Sequence, residues 1–227
     1  NSGLSAIYRE NTPNSEVAPA AGNLKPEVPV NLNYFRCISA ADDNLDRLLR
    51  ALDELGLAED TVVVFSSDNG YYLGEHNLGD KRSAYEESLR IPMLIRYPRG
   101  LPKGVVRDEL VLNLALAPTW LDFAGLAIPA AMQGRSLIPL MRGPVLKWRK
   151  EFFYEHHSVA ARIPMSEGVR TERWKYLRWI AETPVKEELY DLQADPLEEH
   201  NLLAEPKHAA LLAELRGKWE RYGKELK

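Results

Sequence analysis

The chain has 227 residues, 45% of them apolar and 27% charged, and carries a formal net charge of −4. That is an ordinary balance for a globular protein, with length for one large domain or for a domain and a smaller appendage. It offers no basic stripe of the kind nucleic acid requires and no apolar run of the ~18–20 residues that cross a bilayer, and its single cysteine, Cys37, rules out an internal disulfide.

Residues 1–31 are rich in Asn, Ser, Pro and Ala without a sustained period, and are expected to be a loop or disordered lead-in. Asn1 is followed by no charged-then-apolar leader, which is uninformative about export. From Leu32 the pattern changes. Ile38, Ala41, Leu45, Leu48, Leu49, Leu52 and Leu55 recur mostly at spacings of three and four, one face of a long helix that Gly56 should stop. Cys37 falls on this helix and reads as a buried small apolar side chain. Thr61–Ser66 is a short β-branched run, expected to be a buried strand in a parallel sheet. Ser67–Ser83 is polar and punctuated by glycine, hence a loop, and Pro92–Tyr97 is a second strand. Ala117–Ala124 is a helix with Pro118 in its first turn.

Beyond Pro144 the runs become short and strand-like: Phe152–Tyr154, Gly168–Arg170, Trp174–Trp179 and Glu188–Leu192. Asp195-Pro196 marks a turn. Lys207–Tyr222 is an amphipathic helix with Leu211, Leu212, Leu215 and Trp219 on one side. The chain thus divides near residue 145: residues 32–145 are helix–strand α/β, and residues 146–227 form a small antiparallel sheet closed by a terminal helix.

Ligands of open α/β sheets bind beyond the carboxyl ends of strands, which directs attention to the loop after Ser66. Asp68 and Asn69 offer the carboxylate and amide oxygens that a hard divalent cation takes, and Gly70 lets the chain turn sharply afterwards. The same three residues also make an ordinary Asp-Asn-Gly turn with no ligand. Lys81 can present a point charge to an anion such as sulfate or phosphate, or be a solvated surface lysine, and Arg82 and Arg90 carry the same two readings. Glu75-His76 can supply an acid, a base or a metal ligand, although a lone histidine is more often a hydrogen-bonded structural residue.

Together these residues are more specific. Phe65–Gly70, Leu73-Gly74-Glu75-His76 and Asp80–Pro92 resemble the second signature region of the formylglycine-dependent sulfatases, in the alkaline-phosphatase-like superfamily. The Tyr-Tyr-Leu-Gly-Glu-His stretch is more similar to carbohydrate sulfatases, such as N-acetylglucosamine-6-sulfatases, than to typical arylsulfatases. Further matches follow in order: Asp42-Asp43-Asn44, Ala117–Gly125, Gln133–Leu137, Val169-Arg170-Thr171 with Trp174-Lys175-Tyr176, and Glu188–Leu192 with Asp195-Pro196. The resemblance covers residue 32 to the end. It implies part of a helix–sheet–helix sandwich plus an antiparallel C-terminal subdomain with its terminal helix.

The resemblance also implies roles. Asp68 and Asn69 would be ligands of Ca²⁺ in preference to Mg²⁺. Lys81 would contact sulfate oxygens and be the catalytic residue of this stretch. His76, and His156 or His157 after the strand at 152–154, would line the substrate pocket, with a purely structural role equally open for the last two. The family's nucleophile is a formylglycine made from Cys or Ser in a Cys/Ser-x-Pro/Ala-x-Arg motif. Neither Cys37-Ile38-Ser39-Ala40-Ala41 nor the run from Ser39 fits it. The formylglycine and the remaining metal ligands are therefore expected in a missing N-terminal part of the same enzyme, and this chain is expected to be inactive alone. The function implied is hydrolysis of a sulfated carbohydrate or related small sulfate ester. The other readings are a phosphate or phosphonate ester hydrolase of the same superfamily, disfavoured by Asn69 where a two-metal phosphatase would have His, and a non-catalytic carbohydrate- or partner-binding module. No nucleic-acid or membrane partner is expected, and the family points to a periplasmic or secreted location.

Overall fold

The three- and four-residue spacing from Leu32 produces helix α1 (Leu32–Glu54), which Gly56 ends in the left-handed conformation at φ +67°. The computed structural model describes residues 32–77, 81–145, 147–157, 165–181 and 183–226. The lead-in expected over 1–31, and Asp80 of the signature loop, lie outside them. No residue of α1 is buried, and Phe35, Ile38 and Leu48 are each roughly half exposed. Cys37 is exposed as well, which corrects its reading as a buried side chain. Periodicity fixes the apolar stripe but not a partner to cover it.

The run after α1 gives strand β1 (Val63–Ser66). A four-residue helix, α2 (Glu86–Leu89), follows, then strand β2 (Met93–Arg96). The two strands pair antiparallel, with Val63 opposite Arg96 and Ser66 opposite Met93. Here the sequence reading needs two corrections: the pairing is antiparallel, and β1 is only partly buried. A β-branched run specifies an extended segment, whereas the direction of its neighbour depends on how the intervening chain returns. Helices α3 (Leu116–Phe123) and α4 (Ile138–Arg142) come next. Buried Thr119 joins them: its hydroxyl donates to Ala115 O at 2.6 Å and accepts from Leu137 N at 2.9 Å.

The C-terminal run of alternating residues becomes a four-stranded antiparallel meander: β3 (Glu151–His156), β4 (Ser166–Thr171), β5 (Trp174–Trp179) and β6 (Lys186–Asp191). Helix α5 (Ala209–Glu225) closes the chain. Because side chains alternate across a strand, each face has its own set. Val169, Tyr176 and Leu189 pack with Leu212 and Leu215 of α5, alongside Phe153, Trp219 and Tyr222. Leu177, Trp179 and Tyr190 on the other face pack with Tyr72, Ala84 and Tyr85. The sheet is thus covered on one side by α5 and on the other by the polar loop and α2. Burying each large apolar side chain contributes about 1.5–3 kcal/mol.

Two compact units share the chain. One combines residues 69–91 with the stretch from Glu151 onward; the other combines the stretch ending at Asp68 with Pro92–Lys150. The signature loop from Asn69 therefore belongs with the antiparallel sheet.

Candidate active-site loop

Asp68 follows β1 and is exposed, with Ser67 Oγ 3.4 Å from its Oδ1. Asn69 is half-buried. Its Nδ2 donates to Gly70 O at 2.6 Å, which fixes which end of the amide is nitrogen. Gly70 is required by close approach: a Cβ there would sit 2.0 Å from Glu87 O and 2.8 Å from Arg90 O. Its amide donates to Ser88 O at 2.9 Å.

His76 has φ +54° and a side chain only 5% exposed. Its Nε2 lies 3.1 Å from Glu87 Oε2, and its ring stacks on Tyr85 at 4.3 Å. The fold itself thus occupies this imidazole. Tyr72 and Ser83 make a short hydroxyl contact that ties the loop's start to the segment entering α2. Lys81 is half-buried. Arg82 beside it is exposed, with φ +102°, and its amide donates to Ser88 Oγ at 3.0 Å. Ser88 therefore receives the backbone just after Asn69 through its carbonyl and the backbone just after Lys81 through its hydroxyl.

The two neighbouring histidines diverge because side chains alternate across a strand. His156 is half-buried, and its Nε2 has no hydrogen-bond partner among the described residues. Burial lowers its pKa, as do the nearby charges of Arg82 and His157. Arg82 belongs to the signature loop, so His156 is on the loop side. His157 goes to the other face, where its Nε2 lies 2.9 Å from Glu167 Oε1. Trp219 of α5 donates to the second oxygen of Glu167 at 2.8 Å. The structure thus associates only one of the two histidines with the loop.

Beneath the loop lies a buried group of charges. Lys175, with a side chain 1% exposed, puts Nζ 2.9 Å from Glu86 Oε1 and 2.8 Å from both Glu198 oxygens. Arg170 Nη2 lies 3.1 Å from Glu86 Oε2. Burial alone would raise the Glu86 pKa, but Lys175 and Arg170 outweigh it and hold this carboxyl down at about 2. Glu188 goes the other way. Burial pushes it up to about 7 against hydrogen bonds from Trp179, Tyr85 and Tyr190, with repulsion from Glu198 adding to the rise. The Tyr85 and Tyr190 hydroxyls donate to its Oε2 at 3.1 and 3.2 Å.

Sequence reasoning missed Glu87, Ser88, Glu167 and the whole buried charge group. The period of two does place Arg170, Lys175, Glu188 and Tyr190 on one face, so part of the signal is present in the strands. For a cation, Asp68 and Asn69 fit in donor type but not in number, since Ca²⁺ takes about six to eight oxygens. Glu155, His157 and Glu167 bring ligand atoms within 4.8 Å of one another, as do Asp195, Glu199 and His200. The first group is organised by the His157–Glu167 hydrogen bond. In the second, Asp195 accepts the backbone amides of Glu199 and His200.

One five-residue run does have the Ser-x-Ala-x-Arg spacing, Ser158-Val159-Ala160-Ala161-Arg162, which corrects the expectation that no such run is present. It lies outside the described residues.

Comparison with known proteins adds a consistent picture. The family model described as "N-sulphoglucosamine sulphohydrolase, C-terminal" matches residues 74–225, and the model described as "Sulfatase" matches residues 7–126. An N-acetylglucosamine-6-O-sulfatase of Bacteroides thetaiotaomicron is 35% identical over 188 residues, covering 81% of this chain and 34% of its own length. A solved structure in complex with its substrate D-glucosamine-2-N,6-O-disulfate superposes with a TM-score of 0.78 at 34% identity, covering 82% of this chain and 39% of the other. A phosphonate monoester hydrolase from Silicibacter pomeroyi gives a TM-score of 0.73 at 28% identity, covering 81% and 38%. The chain spans about a third of the length of the first of these relatives.

Proposed function

This chain belongs to the sulfatase family, and we propose that it forms the C-terminal part of a sulfuric ester hydrolase acting on a sulfated carbohydrate. The observation that carries the proposal is the joint hold of Ser88 on the backbone beside Asn69 and beside Lys81. A shared anchor that holds an amide oxygen for a cation and an ammonium group for sulfate oxygens suits a metal-assisted reaction of an anionic ester. The names of the similar proteins, which include an N-acetylglucosamine-6-O-sulfatase, supply the substrate class.

In this proposal Lys81 binds the sulfate oxygens and stabilises the negative charge that develops on them. His156, facing the loop with a buried Nε2 and a lowered pKa, contributes a neutral imidazole on the substrate side. His157, engaged with Glu167, acts from the far face by orienting the end of β3, and His76 supports the loop from within through Glu87. Asp68 and Asn69 supply two ligands to a divalent cation, Ca²⁺ rather than Mg²⁺, with the others coming from the rest of the enzyme. When bound, that ion supplies positive charge to the sulfate group. The formylglycine nucleophile is also assigned to the rest of the enzyme. The Ser158–Arg162 run falls inside the span of the C-terminal model, and this proposal assigns it no part. A periplasmic or secreted location accompanies this reading.

The test uses the complete enzyme. Lys81→Ala should lower kcat/KM for a 6-sulfated N-acetylglucosamine by about 10²–10³-fold, the loss typical when one preorganised charge-stabilising donor is removed. An unchanged value removes Lys81 from the site. The 227-residue chain by itself should release no sulfate from 4-nitrocatechol sulfate or from a sulfated sugar. The similarity to a phosphonate monoester hydrolase keeps a second reading in play. Faster turnover of a phosphonate monoester than of the sulfated sugar would decide for it.

A further inference from the structure

Lys175 and Glu198 are far from the signature loop in sequence and touch no expected substrate, yet the loop's organisation leads back to them. Glu198 is fully buried and holds φ +52°, a conformation side chains rarely adopt. Its carboxylate has two uses. It accepts the Glu86 amide at 2.7 Å, at the start of α2, and it pairs with Lys175 Nζ. Lys175 in turn pairs with the Glu86 side chain. The start of α2 is thus held to the sheet by its backbone and its side chain at once.

Two residues further along, Ser88 accepts the Gly70 amide and the Arg82 amide. Gly70 packs directly on the carbonyls of Glu87 and Arg90. A shift of α2 would therefore carry along both pieces of backbone that display Asn69 and Lys81. A four-residue helix has little stability of its own, so its place must be set from outside.

We infer that Lys175 and Glu198 are positioning residues, which through Glu86 and Ser88 fix the backbone that displays Asn69 and Lys81. The inference rests on the roles proposed above for those two residues, but its principal test does not. Amide hydrogen exchange is followed by NMR in the 227-residue chain, using Glu198→Gln and the double variant Lys175→Met/Glu198→Gln. Glu198→Gln is nearly isosteric. The double variant removes one charge of each sign and leaves Glu86 paired with Arg170. The Gly70 and Arg82 amides should exchange at least about tenfold faster in both variants, while the amides of Val169 and Tyr176 on the inner strands β4 and β5 stay within about twofold. Such local opening is separable from global unfolding. Equal acceleration of loop and sheet amides, loss of the folded state in both variants, or unchanged exchange at Gly70 and Arg82 would each overturn the inference.

A second measurement in the complete enzyme, with 6-sulfated N-acetylglucosamine, should show kcat reduced at least about tenfold in the double variant with KM little changed. Faster exchange at Gly70 and Arg82 together with no sulfatase activity in the unmutated enzyme would count against the proposed function and leave the positioning role intact. Faster exchange with unchanged kcat would overturn the positioning role in catalysis.

Discussion

Helix α1 and the β3–β6 sheet are both amphipathic in sequence, yet they end in opposite states. In the sheet, Tyr176, Leu177, Trp179, Leu189 and Tyr190 are all at most 1% exposed, with a layer on each face. In α1 no residue is buried. Patterning is therefore enough to shape a helix, while burial requires a second surface in the right place. Only the sheet obtains two such surfaces from the described residues, and it is the sheet that bears the signature loop.

Mutations should separate the two regions sharply. Lys175→Met leaves Glu198 buried without its counter-charge and should cost about 3–5 kcal/mol in urea-induced unfolding. A cost below 1 kcal/mol would mean that water reaches the charge group. The next effect is set by pH. The folded pKa of Glu188, about 7, lies above its ordinary 4.5. Its contribution to stability is therefore complete below pH 4.5 and is lost as pH rises to about 7, amounting to about 3 kcal/mol. Glu188→Gln, which stays neutral, should match the unmutated protein near pH 4 and exceed its stability at pH 8. Equal stability at pH 8 would place the ionised carboxylate in a solvated setting. Glu86 has the opposite sign: held at about 2, it contributes above pH 4.5 and loses that contribution as pH falls toward 2.

Smaller effects follow. Gly70→Ala forces a methyl group against backbone carbonyls and should cost about 1–3 kcal/mol, by analogy with overpacking, with the loss seen first in the exchange of the Arg82 amide. Leu48→Ala on α1 should change the unfolding free energy of this chain by no more than about 0.5 kcal/mol, as at other exposed positions. A loss of 2 kcal/mol or more would show that α1 is packed in solution and erase its contrast with the sheet.

The sequence by itself determined the elements with strong periods: α1, β2, α3, the four strands after residue 150 and α5. It also determined the family, because the motifs from Phe65 to Pro196 occur in order. These are local signals, written in neighbouring residues and in spacings of two, three or four. Tertiary structure alone decided the antiparallel pairing of β1, the exposure of Cys37, the enclosure of His76 between Glu87 and Tyr85, and the separation of His156 from His157. It also decided the link between Glu86 and Glu198, 112 residues apart. In each case the outcome depends on which distant surface arrives, and burial then sets the strength of the charges that meet there. Asp68, Asn69 and Lys81 were legible as candidates because their residue types suit an anion and a cation. The buried charges that hold their loop in place were not, because a lysine and a glutamate in a strand and a turn look like solvated surface until the fold encloses them.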